Sequence, residues 1–134
     1  MTEIDNGTIV RYCKPSTLDE QRKPCGSSFA LRTHINEKEL SIHLLDYFNN
    51  PSEKEKVKAV KEWQKNFNFN TNALFATLDI KESQDYIFNK ISEKVSYIEM
   101  GLPHCGIFHQ SYSDLGISEL LSQCVKNTYS VNDV

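Results

Sequence analysis

The sequence predicts an α+β fold: one domain in which a mixed or mostly antiparallel sheet is covered by three to four helices. Three observations carry this. The chain has 134 residues, 39% of them hydrophobic and 25% charged, which is the composition of one ordinary globular domain. Apolar residues recur at spacings of three and four in separate stretches of the second half, the period of an amphipathic helix. Strand-like runs cluster in the first third instead of alternating strictly with helices, which argues against a purely parallel βαβ sheet. A domain of this size buries about two thirds of the surface its unfolded chain exposes, so neither a metal nor disulfides are needed for stability. Residues 1–7 and 130–134 are expected to be loose termini.

Taken in order, Thr8 to Cys13 reads as a first strand, because Ile9, Val10 and Tyr12 are β-branched or aromatic and the run lies between Gly7 and Pro15. Lys14 to Ser28 is polar and punctuated by Pro15, Pro24 and Gly26, a long surface loop of the kind that usually carries function. Phe29 to Arg32 is expected to return to the sheet, and Glu39 to His43 to be extended. Leu44, Leu45, Tyr47 and Phe48 suggest a short helix ending near Asn49-Asn50-Pro51, although Leu40, Leu44 and Phe48 also fit one face of a single longer helix. Ser52 and Glu55 form an S-x-x-E capping box that opens a helix to about Phe67. Its buried stripe is read as Val57, Val60, Trp63 or Gln64, and Phe67. Glu53, Lys54, Glu55, Lys56, Lys58, Lys61 and Lys65 form a solvated opposite face, their mixed signs arguing against an anion patch.

Ala73 to Ile80 alternates as a strand, Leu74, Ala76, Leu78 and Ile80 on one face and Phe75, Thr77 and Asp79 on the other. Ser83 is the expected cap of a helix to Val95 with Ile87, Phe88, Ile91 and Val95 inward. Ser96 to Met100 is a further strand, broken by Gly101-Leu102-Pro103, and His104 to His109 returns to the sheet. A last helix from Ser113 or Ser118 to Tyr129 turns Ile117, Leu120, Leu121, Cys124, Val125 and Tyr129 toward the core.

Charge and composition exclude several classes. Fifteen Lys and Arg stand against eighteen Asp and Glu, a net charge of -3, so nucleic acid held by counterion release is not an expected partner. No stretch reaches the roughly 18 apolar residues of a membrane span, and the first twenty residues carry Glu3, Asp5, Arg11 and Lys14 with no apolar signal core. A cytoplasmic chain with free thiols at Cys13, Cys25, Cys105 and Cys124 is expected, and the sequon at Asn6-Gly7-Thr8 then has no use. The zinc-type donors Cys13, Cys25, His104, Cys105 and His109 lack the paired knuckle spacings that pre-form a metal site, so no metal and no cofactor is expected.

Familiar catalytic signatures are absent, and what remains is a set of polar residues beside predicted strands. Arg11 lies among apolar neighbours and offers five donors in a planar fork to a phosphate or carboxylate. Ser27, Ser28 and Ser41 supply hydroxyls for the same anion, and His104 is the one candidate catalytic residue, a proton carrier near neutral pH. Against this stand ordinary roles: an outward or ion-paired Arg11, turn-capping serines and a loop histidine. A Cys105 nucleophile assisted by His104 or His109 is the weaker alternative, since a reactive thiol needs a lowered pKa and exposure.

Arg11, Pro15, Ser27-Ser28-Phe29, Leu40-Ser41-Ile42 and His104-Cys105-Gly106-Ile107, in that order, resemble the pattern of a group of small bacterial proteins to which no activity is assigned. The resemblance spans nearly the whole chain and implies a bacterial or phage cytosolic protein, but no mechanism. The favoured reading is an accessory or immunity-type protein that acts by binding another protein. The alternative is a small enzyme or nucleotide- or phosphate-binding domain built on the Arg/Ser/His set.

Overall fold

Ten regular elements, seven strands and three helices, appear in a computed structural model that describes residues 2–32, 35–109 and 114–134. The strands are β1 (Glu3–Ile4), β2 (Thr8–Cys13), β3 (Leu40–Leu44), β4 (Leu74–Asp79), β5 (Ser96–Glu99), β6 (His104–Phe108) and β7 (Asn127–Ser130). The helices are α1 (Glu53–Trp63), α2 (Ile80–Ile91) and α3 (Asp114–Gln123). One sheet runs in the order β1-β5-β6-β3-β2-β4-β7, and all its neighbouring strands are antiparallel. The α+β class therefore holds, with a wholly antiparallel sheet among the described residues. The fourth helix anticipated near Leu44 is only a 3-10 turn, Leu45–Tyr47.

The two faces of the sheet are covered unequally. On one face Ile9, Leu40, Ile42, Ala76, Leu78, Tyr97, Cys105 and Ile107 pack with Ile87 of α2 and with Ile117 and Leu121 of α3. On the other, Val10, Ala73 and Phe75 meet Val57 and Val60 of α1, with Leu45 and Val131 completing the cluster. No residue of β3, β5 or β6 belongs to that second cluster, so α1 shields the β2-β4-β7 half and leaves much of the β3-β6 half uncovered. β4 is buried on both faces, which is why Leu74 to Leu78 is almost uninterruptedly apolar.

Several sequence expectations are corrected. Phe29 to Arg32 forms no strand; the chain makes a 3-10 turn at Gly26–Phe29 and then runs irregularly. That turn lies against α3, where a Cβ on Gly26 would stand 2.8 Å from the Glu119 carboxylate, which would have to shift, and in ordinary contact with the Glu119 backbone at 3.4 Å. The Lys14–Ser28 loop is internally bonded, with Leu18 bridging Pro24 and the Cys25 N–H donating to the Thr17 carbonyl at 3.1 Å. Ser52 does cap α1, accepting from Glu55 N–H at 3.1 Å, but the helix ends at Trp63 instead of Phe67. Trp63 is not core: it is 51% exposed and leans edge-on against Tyr47 and Phe48. The expected solvated face of α1 also gives up two members, since Glu53 and Lys61 turn inward to bond other elements.

α2 begins at Ile80 directly after β4, capped by Asp79, whose side chain accepts from Glu82 N–H at 2.8 Å. Ser83, the expected cap, is instead fully buried, and its Oγ lies 2.6 Å from the Tyr97 hydroxyl. The helix ends at Ile91 with Ser92 in the left-handed region, and Phe88 and Ile91 face solvent. α3 stops at Gln123, six residues before Tyr129, which belongs to β7; of the two starts considered, Ser113 lies outside the described residues. The termini anticipated as loose are paired: Glu3 and Ile4 bond β5, Ser130 pairs with Leu74, and Val131 is buried, while Met1 lies outside the described residues.

Candidate functional site

β2 and β3 are partners over only two residue pairs, Ile9 with Leu44 and Val10 with His43. Beyond them β2 continues with β4 as far as Cys13, while β3 continues with β6 as far as Leu40. The sheet therefore splits, and a cleft of about 630 Å³ occupies the fork. Arg11, Ser27, Ser28, Ser41 and His104 all line it. Lys14, Ser16 and Thr17 of the long loop, Arg32 beyond it, and Tyr12, Val60, Gln64, Phe67 and Phe75 complete the lining.

Arg11 holds the fork open. Its Nε donates to the Ser28 carbonyl at 3.0 Å and its Nη1 to the Ser41 carbonyl at 2.7 Å, so it takes the place of the backbone ladder that β2 and β3 no longer form. These bonds use two of the five guanidinium N–H donors. The remaining three have no hydrogen-bond partner, and Arg11 no carboxylate ion pair, among the described residues. Burial lowers its pKa, and the Glu37 carboxylate partly offsets this; an arginine so placed still stays charged at neutral pH.

Glu37 is committed elsewhere. It accepts from Arg32 Nη2 at 2.9 Å, Arg32 Nε at 3.2 Å and the Arg32 backbone N–H at 2.9 Å. Burial alone would push its carboxyl up, but the hydrogen bonds and charge of Arg32 hold it below the usual range. Arg11, Lys14 and Arg32 thus confront this single carboxylate among the described lining residues, and the cleft carries excess positive charge in a protein of net charge -3.

Ser41 and His104 meet because of the β3-β6 register. His43 pairs with His104 and Ser41 with Gly106, so Ser41, His43 and His104 emerge on the same face as diagonal and direct neighbours. Ser41 Oγ and His104 Nε2 are 2.9 Å apart. The His43 ring lies 5.6 Å from that of His104, and Gln64 Nε2 donates to His43 Nε2 at 2.9 Å. Burial, with the adjacent His104 adding to it, pushes the His43 pKa down to about 4, so this imidazole is neutral at pH 7.

The serines differ in what they offer. Ser28 is buried, its Oγ 2.7 Å from Thr17 Oγ1 and 2.9 Å from the Thr17 carbonyl, so its hydroxyl ties the two loop turns together. Ser28 reaches the site through its carbonyl, which accepts from Arg11. Ser27 is exposed at the cleft and Ser41 is exposed beside His104. The Cys105 alternative is corrected: its side chain is fully buried on the opposite face, its Sγ donates to the Pro103 carbonyl at 3.7 Å, and burial pushes its thiol up to about 11. Cys13 and Cys124 are likewise pushed up to about 11, and all four cysteines are free. Among the described residues, no group of three or more His, Cys, Asp and Glu side chains is placed to hold a metal ion.

Sequence reasoning missed His43, Gln64, Lys14, Arg32 and Phe67. His43 carried a usable signal, because strand alternation puts it on the face of Ser41; the others depend on contacts between distant segments. No known protein family, curated protein or solved structure matches the chain.

Proposed function

We propose that the protein binds a small organic anion in the β2-β3 cleft, as a small enzyme or phosphate-binding domain, with Arg11 as the anchor and His104 as the proton carrier. The observation that carries this is a guanidinium set in a cleft on two backbone carbonyls, with donors to spare and no carboxylate paired to it among the described residues. Its spare donors open on the cleft, and an oxyanion supplies the bidentate acceptor that the fork fits. Ser27 adds an exposed hydroxyl. The Ser41–His104 pair gives a hydroxyl whose proton the imidazole can accept and return, at a distance ordinary for such transfer.

Arg11→Ala should abolish binding of inorganic phosphate or a nucleotide measured by calorimetry, and Arg11→Lys should restore little, because a point charge does not reproduce the fork. If the protein is an enzyme, His104→Ala should lower turnover more than binding. Unaltered phosphate binding by Arg11→Ala would remove the site.

A second reading, an accessory protein acting through a protein partner, draws support from the aromatic cluster in which exposed Tyr47 and Trp63 meet half-buried Phe48 edge to face. Partner capture that is lost with Trp63→Ala and kept with Arg11→Ala would favour it. A cytoplasmic setting belongs to both readings, since four free thiols are what a reducing compartment maintains. A bacterial or phage origin rests on the sequence resemblance. No helix among the described residues is long and apolar enough to cross a membrane.

A further inference from the structure

The anion bound at Arg11 must share the cleft with a surface of very different chemistry, and that surface narrows the ligand. Phe67 lies just beyond α1, is 48% exposed and lines the same cleft as Arg11. Its ring meets Tyr12 edge-on at 5.2 Å and Phe69 at 4.6 Å, while Tyr12 is the residue next to Arg11 in β2. The Tyr12 hydroxyl accepts from Asn70 N–H at 3.0 Å, which fixes the ring against which Phe67 rests. The cleft is thus lined both by cationic side chains, Arg11, Lys14 and Arg32, and by aromatic ones, Tyr12, Phe67 and Phe75, with Phe67 about half open to solvent.

From this arrangement we infer that the ligand joins a terminal anionic group to a planar ring, the anion at Arg11 and the ring against Phe67. The inference rests on the anion-binding reading and adds the ligand's second half. A free inorganic anion would leave the aromatic lining without a partner, and a volume of about 630 Å³ is that of a pocket for a small organic molecule. The shared chemistry has two sources: a mononucleotide, whose base supplies the ring, or a small aromatic phosphate or carboxylate. Stacking on a side-chain ring tolerates either, because each presents a π face.

The test is a calorimetric comparison of inorganic phosphate, ribose 5-phosphate, adenosine 5′-monophosphate and phenyl phosphate on the wild type, Phe67→Ala and Phe67→Trp. A ring-bearing ligand should bind the wild type at least about fivefold tighter than ribose 5-phosphate, the gain expected from one stacked ring. Phe67→Ala should erase that gain while leaving the affinity for ribose 5-phosphate unchanged, and Phe67→Trp should keep it. Whichever of the two ring-bearing ligands gains more identifies the source. Equal affinities with and without a ring would overturn the inference and leave the anion site standing. If none of the four binds, the anion site falls and the inference falls with it.

Discussion

Arg11 illustrates how a single residue acquires a role that its type alone does not specify. The sequence placed it inside a strand among apolar residues, which made a fork-shaped anion ligand conceivable; the geometry adds that the strand loses its neighbour at that position and that two carbonyls hold the guanidinium. The second fact depends on a register between segments about thirty residues apart, which no local pattern encodes. His43 shows the same limit, and its titration gives a prediction. Its pKa is about 4 in the folded chain against about 6.5 unfolded, so between those values the unfolded state binds more protons and stability rises with pH. The unfolding free energy from denaturant titration should therefore fall as pH drops from about 6.5 to 4, by about 3 kcal/mol at most, and His43→Gln should flatten that part of the profile. A second prediction concerns Ser83. Replacing it with Ala leaves the wholly buried Tyr97 hydroxyl without the partner at 2.6 Å and should cost about 1 to 3 kcal/mol by chemical denaturation. An unchanged midpoint would mean that the hydroxyl finds another acceptor.

Among the elements, those with strong period or strong punctuation were legible. β2, β4 and the capped start of α1 fall within a residue or two of where their patterns put them, since β-branched alternation and S-x-x-E each report a local cause. The errors lie where two causes competed. Ser83 has the type of a cap, but Asp79 lies at the strand-to-helix junction and does the capping; Asp79→Ala should cost about 1 kcal/mol. Tyr129 fits a helical stripe, yet it pairs with Phe75 in β7 and donates its hydroxyl to Glu53 Oε1 at 2.9 Å. Thr77 Oγ1 and Asn127 Nδ2 donate to the same oxygen, at 3.1 and 2.9 Å, which binds the first turn of α1 to β4 and β7. Burial, then the Glu53 contact, pushes the Tyr129 hydroxyl up to about 12. Glu53→Ala strips the acceptor from three donors and should cost about 2 to 3 kcal/mol, more than any other change on the polar side of α1. Trp63→Ala should cost only about 1 kcal/mol, well short of the 3 to 5 kcal/mol of a fully packed aromatic, because half of its surface already faces water. Melting curves of the two variants should rank them in that order.

For the whole molecule, the unequal covering of the sheet is the feature that leaves room for the cleft. Two helices shield one face; a single helix shields half of the other; and the split between β2 and β3 opens the cleft at the boundary of the covered half. The composition made a single globular domain legible, the order of strand and helix patterns its α+β class, and the strand patterns Arg11, Ser41 and His104 as polar side chains on or beside a sheet. Their convergence on one cleft is a property of the strand order, in which β3 and β6 are adjacent although some sixty residues of chain separate them. The central claim, that the Arg11 guanidinium awaits an anion, is tested most directly by following its Nε resonance in ¹⁵N NMR while inorganic phosphate is added. A saturable shift of Arg11 that leaves the resonance of Arg22, which lies outside the cleft lining, little changed is the predicted result. A resonance that stays still, or drifts linearly like every other exposed cation, would contradict it.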